Sequence, residues 1–313
     1  MRIYRHFDSL PAEARGASIA VGNFDGVHLG HQAVIGEAGR LARAAGAPWA
    51  VLTFEPHPRS VFQPGQPPYR LTPFRTKARH LEELGVDAMI VQRFNRDFSQ
   101  RPAEDFVRSV LVEGFGARHV VAGYDFVFGH NRGGTCELLL AMGKDLGFGF
   151  TAVSAVEDAA GVVYSSTGVR DCLRHGNLRG AAEILGRPFE IEGRVARGDQ
   201  RGRSIGFPTA NLHPGPVVRP LAGVYAVRVS VIDGPETTVY DGVANIGVRP
   251  TFLGEDVILE AHVFDFNGDL YGQRVGVGLI DFIRPEKKFD GIDALKAQIG
   301  ADCITAREIL ARA

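Results

Sequence analysis

The chain has 313 residues, a hydrophobic fraction of 45%, a charged fraction of 23% and a formal net charge of −1. This length favours two domains, and the composition is typical of a soluble globular protein and not of a disordered or fibrous one. The near-zero net charge argues against a broad nucleic-acid-binding surface, so recognition of polyanions has to be local.

The first half of the chain alternates strand-like and helix-like segments. Short apolar runs of the kind buried in parallel sheets predict strands at residues 18–21, 49–54, 88–91, 119–122 and 148–153. Helical patterns lie between them at residues 31–45, 73–84, 102–112 and 136–146. Thr72 and Thr135 are the expected N-caps of the second and fourth helices. The alternation predicts a doubly wound α/β domain, whose ligands bind at the carboxyl ends of the strands.

After Arg170 the pattern changes, and β-strand signals soon dominate. Helical stretches are predicted at residues 169–175 and 178–185. Short Val- and Phe-rich strands separated by turn residues follow at residues 189–195, 223–229, 237–243, 258–264 and 274–282. Strands at this spacing predict a small β-barrel, which a helical tail at residues 292–310 completes. We place the domain boundary near residues 184–188, which divides the chain into residues 1–185 and 186–313.

Cysteine usage and apolar runs bear on the compartment. Cys136, Cys172 and Cys303 are far apart and show no C-x-x-C spacing, so they support neither a disulfide framework nor a zinc site. A reducing cytoplasm is therefore the default location. No run approaches the ~18 apolar residues that a membrane span needs, and we expect no membrane partner. The composition is compatible with a homo-oligomer but does not require one.

The segment after the first predicted strand nominates a nucleotide site. It reads Gly22-Asn23-Phe24-Asp25-Gly26-Val27-His28-Leu29-Gly30-His31. Glycines let the backbone approach a ligand, and a helix starting near His31 directs its N–H groups and the positive end of its dipole into the turn. His28 and His31 can converge on one anion as hydrogen-bond donors. The alternative, two surface histidines in a polar loop, is disfavoured by the preceding strand and the following helix.

Three further polar clusters follow in the first half. His57, held between prolines, is expected at the same sheet edge as His28, with a purely structural turn histidine as the alternative. Phe126 and Phe128 belong to a glycine-rich segment that suits a flat heterocycle, although both would share one side as core residues. The run at residues 165–170 offers hydroxyls for helix capping and Arg170 as a fork of donors for the same anion as the histidines.

The second half carries its own cluster of chemistry-bearing residues. The run at residues 198–206 is typical of a mobile phosphate-covering loop, with a basic solvent-exposed turn as the alternative, and includes Gly198, Arg203 and Gly206. Thr209 and Asn211 alternate along a strand-like segment and so share a face, where they can present two oxygen ligands to one Mg²⁺, with a structural Thr and Asn in a turn as the alternative. Glu260 lies mid-strand between apolar neighbours, where a carboxylate facing a pocket can act as a general base.

Together these segments resemble the bacterial bifunctional riboflavin kinase/FAD synthetase family. In the first half the resemblance lies in residues 22–31, 54–58, 123–129 and 165–170. In the second half residues 198–211 resemble the kinase signature G-R-x-x-G-x-P-T-A-N, and further matches lie at residues 245–252, 259–262, 271–272 and 282–286. The resemblance covers almost the whole chain in the right order, and the combination of H-x-G-H with P-T-A-N is specific.

The resemblance implies two reactions. The second half would use ATP and Mg²⁺ to phosphorylate riboflavin to FMN, with Glu260 as the base on the riboflavin 5′-hydroxyl. In the first half an FMN phosphate oxygen would attack the α-phosphorus of ATP, which gives FAD and pyrophosphate. Positioning and charge neutralisation by His28, His31 and Arg170 would carry this step. ATP is thus the co-substrate and FMN and FAD are the products.

The remaining candidate residues fall into three groups. Those for nucleotide or phosphate binding are Gly22, Phe24, Asp25, Gly26, Gly30, Ser166, Thr167, Gly198, Arg203 and Gly206. Those for flavin binding are His57, Asp125, Phe126, Phe128 and Arg284. Those for the metal are Thr209 and Asn211.

The chain departs from the family pattern beside the Ser-Ser-Thr run. Gly168 stands where a long side chain is frequent, and Val163 and Tyr164 stand where a basic residue is common. We expect weaker nucleotide binding in the first module and no loss of activity. Two other functions stay open: a riboflavin kinase fused to a nucleotidyltransferase for another phosphorylated acceptor, and a degenerate flavin-binding regulator. A binder needs no base beside a metal site, so Glu260 with Thr209 argues against the regulator.

Overall fold

The computed structural model describes residues 1–197, 202, 205–232, 238–251 and 254–313. Its internal contacts divide the chain into two compact units. The first comprises Met1–Pro67 and Thr72–Ser166, and the second comprises Pro68–Leu71 and Thr167–Ala313. Neither unit is continuous in sequence. Our boundary near residues 184–188 stays a prediction, while the contacts place the helical stretch that precedes it in the second unit.

The first unit is built on a parallel six-stranded sheet. Its strands are β1 Arg2–Arg5, β2 Ser18–Val21, β3 Trp49–Glu55, β4 Ala88–Arg93, β5 His119–Gly123 and β6 Gly149–Val153, in the spatial order β1-β4-β3-β2-β5-β6. β2 lies inside the sheet and is buried along its whole length, because both faces of a parallel sheet are covered. The predicted α/β architecture is confirmed. β1 escaped prediction because it is a largely exposed edge strand flanked by arginines.

Helices cover both faces of this sheet. They are α1 Leu29–Ala45, α2 Pro58–Phe62, α3 Phe74–Glu83, α4 Arg96–Ser99, α5 Ala103–Asp105, which continues as a π-helical segment over Phe106–Gly114, and α6 Cys136–Leu146. Alternate residues of β2 enter different cores: Ile19 packs in one apolar cluster and Ala20 in the other. Two buried layers therefore sandwich the sheet.

Of the two predicted N-caps, one is confirmed and one is wrong. Thr135 caps α6, since its hydroxyl accepts the Leu138 N–H at 3.4 Å. Thr72 was predicted to cap the next helix but does not, because Pro73 occupies the N-cap position of α3. The Thr72 hydroxyl instead accepts the Gly26 N–H at 3.0 Å. A tertiary partner has thus replaced the local one.

The second unit begins with two helices, and an antiparallel sheet follows. The helices are α7 Ser166–Arg174, whose first residue still belongs to the first unit, and α8 Leu178–Leu185. The strands are β7 Phe189–Arg194, β8 Ala210–Leu212, β9 Gly223–Val231, β10 Thr238–Thr251, β11 Gly254–Val263 and β12 Arg274–Arg284, in the order β7-β12-β9-β10-β11-β8. The sheet curls, and the Ala196 N–H donates to the Asn211 carbonyl at 2.8 Å, which joins its two edges.

Apolar packing closes both sides of the curled sheet. Val169 and Leu185, from the two helices, share a core with Ile191 and Leu259 of the strands. A final helix, α9 Ile292–Leu310, packs Ala306 against β9 and β10 in a smaller cluster. Among the described residues no helix has the length and apolar character needed to cross a bilayer.

A short stretch from between α2 and α3 is part of the second unit. Arg70 forms a parallel bridge with Val217, and the Arg70 carbonyl accepts the Val218 N–H at 2.7 Å. Leu71 is buried in the same core as Val218. The second unit therefore includes four residues, Pro68–Leu71, that precede its main body by almost one hundred positions.

Candidate active sites

The order of strands in the parallel sheet reverses between β2 and β5. From β2 the chain moves outward through β3 to β4, whereas from β5 it moves the other way to β6. Ligands of open α/β sheets bind in the crevice at such a point, outside the carboxyl ends of the strands. Residues 22–31, which we call the histidine turn, follow β2, and the aromatic segment at residues 123–134 follows β5. The sheet thus brings two predicted clusters to one crevice.

The two histidines of the turn stack on each other. Their ring centroids are 3.6 Å apart with an interplanar angle of 24°, and Phe24 packs edge-on against His31 at 5.3 Å. His28 is the N-cap of α1, and its Nδ1 accepts the His31 N–H at 3.3 Å. The helix therefore starts two residues earlier than predicted, and the His31 amide is engaged by the His28 ring instead of pointing freely into the turn.

The backbone of the histidine turn adopts sparsely populated conformations. Phe24 has φ +49° and Val27 has φ +44°, and such values are costly for an aromatic and a β-branched residue. Gly26 has φ +93°, which glycine adopts without steric cost. Such conformations persist only where the surrounding contacts over-determine them.

Asp25 is one source of those contacts. Its side chain is 3% exposed, and Oδ1 accepts the Thr72 N–H at 3.1 Å. The Ser166 hydroxyl donates to the Asp25 carbonyl at 2.7 Å, so Ser166 lies against the turn. The Asp25 carboxylate is directed into the protein, and this geometry favours bracing of the turn over a direct ligand contact.

The glycines of the turn are required partly by its own packing. A Cβ on Gly22 would lie 3.0 Å from the Phe24 ring. A Cβ on Gly30 would lie 3.1 Å from the His28 ring and 3.3 Å from the Tyr164 carbonyl. Side chains at these positions would displace the aromatic rings. The compactness of the turn therefore explains both glycines without a ligand.

A buried lysine that sequence reasoning missed reaches the same turn. Lys77 of α3 is 1% exposed, and its Nζ donates to the Asn23 carbonyl at 2.9 Å. It also donates to Thr53 Oγ1 and to Glu55 Oε1, both at 3.1 Å. Its position three residues after Phe74 and four before Leu81, on the apolar face of α3, was the available signal.

The loops after the neighbouring strands hold the predicted flavin residues. His57 caps the short helix α2, and its Nδ1 accepts the Arg59 N–H at 3.2 Å. Phe126 and Phe128 stack with centroids 5.5 Å apart, so they share one side as expected. Phe128 is 8% exposed and belongs to the core, whereas Phe126 is half-buried and Asp125 is exposed. Phe126 and Asp125 thus offer more surface to a ligand than Phe128 does.

The Ser-Ser-Thr run leads into the second unit. Thr167 is exposed, and Arg170 is 8% exposed. Arg170 Nε donates to the Tyr69 carbonyl at 2.7 Å, and its guanidinium lies 5.0 Å from the centre of the Tyr69 ring. The described contacts of Arg170 are thus made within the second unit, to the stretch Pro68–Leu71.

Cross-strand pairing aligns three polar residues in the second unit. Glu260 of β11 lies opposite Asn211 of β8 on one side and Asn245 of β10 on the other. Directly opposed residues of an antiparallel sheet share a face. Ala210 and Leu212, which flank Asn211, are buried in the core, so this amide–carboxylate row lies on the opposite face. Asn245 begins the stretch 245–252 that resembles the family, but it was not assigned to the site, because an asparagine in a strand gives no site signal without the register.

The predicted metal ligands lie at one end of this row. Asn211 Nδ2 donates to the Thr209 carbonyl at 3.4 Å. A Cβ on Gly202 would lie 3.4 Å from Thr209 Oγ1, so this part of the glycine-rich run lies beside Thr209. Gly206 is exposed with φ +94°. The other two residues predicted for this run, Gly198 and Arg203, lie outside the described residues.

Two charged residues lie at the end of β12: Arg284 is its last residue, and Glu286 follows it. Glu286 Oε1 accepts the Asn245 Nδ2 hydrogen at 3.1 Å and would lie 2.5 Å from a Cβ on Gly247. Arg284, predicted to contact flavin, forms a two-bond ion pair with Asp302 of α9, with donor–acceptor distances of 2.9 and 2.6 Å. Asp302 is 4% exposed, so this guanidinium neutralises a buried carboxylate.

The three cysteines add little to either site. Burial raises the pKa of the thiols of Cys136, Cys172 and Cys303, which disfavours the reactive thiolate form. Within the ranges that the structure describes, no three His, Cys, Asp or Glu side chains are grouped as a metal site.

The fold and the sites define a class of protein with two units. One is an α/β unit that carries the histidine turn, and the other is a curled antiparallel sheet that carries the amide–carboxylate row. A family model described as FAD synthetase matches residues 10–167, and one described as riboflavin kinase matches residues 185–310. A bifunctional riboflavin kinase/FMN adenylyltransferase of Escherichia coli (strain K12) is 42% identical over 309 residues, which cover 98% of this chain and 97% of the relative. The protein of the same name from Bacillus subtilis (strain 168) is 39% identical, and the aligned region covers 95% of this chain and 94% of that protein.

The chain belongs to the bifunctional riboflavin kinase/FMN adenylyltransferase family. The resemblance drawn from the motifs is therefore confirmed. A solved structure from Streptococcus pneumoniae, named a macrolide-efflux protein, has the same fold, with a TM-score of 0.83 and 33% identity. The alignment covers 97% of that structure's chain and 96% of this chain.

Proposed function

We propose that this chain makes both flavin cofactors. Its second half transfers the γ-phosphate of ATP to riboflavin, which gives FMN, and its first half transfers the adenylyl group of a second ATP to FMN, which gives FAD and pyrophosphate. The observation that carries the proposal is the presence in one chain of the histidine turn at the strand-order reversal and the amide–carboxylate row, within segments that match the two corresponding family models.

In the adenylyl transfer an oxygen of the FMN phosphate attacks the α-phosphorus of ATP. The bond from that phosphorus to the bridging oxygen breaks, and pyrophosphate leaves with the bonding electrons. Such transfers need positioning and charge stabilisation more than covalent help. The stacked rings of His28 and His31 supply N–H donors beside the start of α1, whose dipole favours anions. Ser166 and Thr167 are assigned to the phosphates, and Arg170 to the same charge.

The flavin of this step is assigned to the loops after β3 and β5. His57, Asp125 and Phe126 lie in those loops with at least part of each side chain accessible. An aromatic face suits the flat isoalloxazine ring, and Phe126 is supported from behind by the buried Phe128. Phe128 thus serves the site by packing.

In the kinase reaction Glu260 accepts the proton of the riboflavin 5′-hydroxyl as that oxygen attacks the γ-phosphorus of ATP. The bond from that phosphorus to the β,γ-bridging oxygen breaks, and ADP leaves. Its place between two amides on the sheet face suits a positioned base. Thr209 and Asn211 would hold Mg²⁺, since Asn211 uses its Nδ2 on the Thr209 carbonyl and keeps its oxygen as an acceptor. When bound, Mg²⁺ neutralises phosphate charge. Gly198, Arg203 and Gly206 are assigned to the loop that covers the phosphates.

The proposal is tested by incubating the purified chain with riboflavin, Mg²⁺ and ATP and separating the flavins by chromatography. FMN followed by FAD supports the proposal. FMN alone indicates a kinase joined to a transferase for another acceptor, and the absence of both products indicates a flavin-binding regulator. FMN supplied directly with ATP tests the second step independently of the first.

A further inference from the structure

The hydrogen-bonding capacity of the buried Lys77 is directed into the protein. Lysine is almost never fully buried unless it is paired, and an ammonium has three N–H donors. Lys77 Nζ, 1% exposed, reaches three acceptors: the Asn23 carbonyl at 2.9 Å and Thr53 Oγ1 and Glu55 Oε1 at 3.1 Å. A lysine that binds the phosphate of a substrate would instead keep N–H donors available for it. Lys77 is therefore placed to hold the protein.

Lys77 connects the ends of β2 and β3 to the start of the histidine turn. Thr53 and Glu55 are in the last residues of β3, which pairs in parallel with β2. Asn23 lies two residues after the end of β2 and precedes Phe24, where the backbone enters φ +49°. The Asn23 carbonyl accepts a second hydrogen bond from the Thr53 hydroxyl, at 3.1 Å. The carbonyl is thus fixed from two sides just before the strained step.

Thr72, which lies five residues before Lys77, holds the backbone on the other side of Phe24. Thr72 binds Asp25 Oδ1 through its N–H at 3.1 Å and receives the Gly26 N–H on its hydroxyl at 3.0 Å. Residues 72–77 therefore hold the turn on both sides of Phe24. Strained backbone at a ligand site needs such over-determination to persist.

We propose that Lys77 is a positioning residue for adenylyl transfer: its ammonium fixes the Asn23 carbonyl and thereby keeps the histidine turn in the conformation that receives the triphosphate of ATP. This inference rests on the function proposed above. Lys77 acts through Asn23, since its described hydrogen bonds are to protein atoms.

The test compares Lys77→Met with Lys144→Met in the full-length chain. Lys144 is an exposed lysine in the last turn of α6, so its replacement controls for the loss of one charge from the same unit. FAD formation from supplied FMN gives kcat and the KM for each substrate. Riboflavin phosphorylation by the same polypeptide serves as an internal reference.

For Lys77→Met we expect the KM for ATP to rise at least ~10-fold, and kcat/KM for ATP to fall by up to about 100-fold, as for small misplacements of a site. The KM for FMN and the kinase rate should stay within about twofold. A residue that only stabilised the fold would lower the active fraction and leave both KM values unchanged. Lys77→Arg keeps the charge beside Glu55 and should recover part of the ATP affinity.

Hydrogen exchange gives a readout that does not depend on catalysis. The Gly26 amide is bonded to the Thr72 hydroxyl and the His31 amide to the His28 ring, and both should exchange faster in Lys77→Met than in Lys144→Met. Thr53→Val, which removes one hydroxyl without leaving a buried charge, should shift exchange and the KM for ATP in the same direction. Unchanged exchange in these variants would overturn the inference, as would an unchanged KM for ATP in a chain that makes FAD. Failure of the unsubstituted chain to make FAD would instead overturn the proposed function, and exchange would still decide the role of Lys77.

Discussion

Replacing Glu260 by glutamine should remove one of the two activities and leave the other intact. Glu260 is half-buried, and its cross-strand neighbours Asn211 and Asn245 can hydrogen-bond an amide as well as a carboxylate. Glutamine therefore preserves shape and polarity while removing the proton acceptor. A positioned general base contributes about 10²–10⁴-fold in rate, which is roughly 3–5 kcal/mol of activation free energy.

The assay measures initial rates of FMN formation from riboflavin and, separately, of FAD formation from supplied FMN. We expect the first rate to fall by about 10²–10⁴-fold and the second to match the unsubstituted chain. Glu308→Gln, an exposed carboxylate of α9, is the matched control. FMN formation at the original rate, or an equal fall of both rates in a folded variant, would refute the assignment of Glu260 as the base.

Three further predictions concern other parts of the molecule. His31→Ala should lower FAD formation by about 10²–10³-fold, as expected for one transition-state donor, with FMN formation unchanged; unaltered FAD synthesis would remove His31 from the reaction. Asp302→Ala leaves the Arg284 guanidinium, one-fifth exposed, without its carboxylate and should lower the free energy of unfolding by about 3 kcal/mol in urea titrations. Gly39→Ala would place a Cβ 2.6 Å from the Trp49 ring and should cost about 1–3 kcal/mol of stability, visible as a lower Tm and altered Trp fluorescence.

The sequence predicts most of the fold because buried strands carry a strong local signal. β2, for example, contains the apolar run Ile19-Ala20-Val21, and the structure has the strand at the predicted residues. β1 and the short helices α2 and α4 were missed for the converse reason. An edge strand shows no continuous apolar run, and helices of four or five residues are too short to show a period.

The site was predictable where residues act within one loop and not where partners come from elsewhere. The convergence of His28 and His31 followed from their spacing. The role of Lys77 did not, because a lysine on a helix suggests a solvent-facing position until its burial is known. Thr72 was assigned to its own helix because capping is a local rule, whereas the fold offers it Asp25. The tertiary hydrogen-bond partners of Lys77 and Thr72 are more than twenty positions away in the sequence, so local rules do not predict them.

The stretch Pro68–Leu71 limits how the two activities can be separated. A fragment that starts at residue 167 would lack Arg70, and the N–H of the buried Val218 would lose its acceptor. A fragment that ends at residue 166 would carry Leu71 away from its apolar neighbours. A cut between residues 166 and 167 therefore separates Pro68–Leu71 from the rest of the second unit. The two activities are better dissected by point substitution than by truncation.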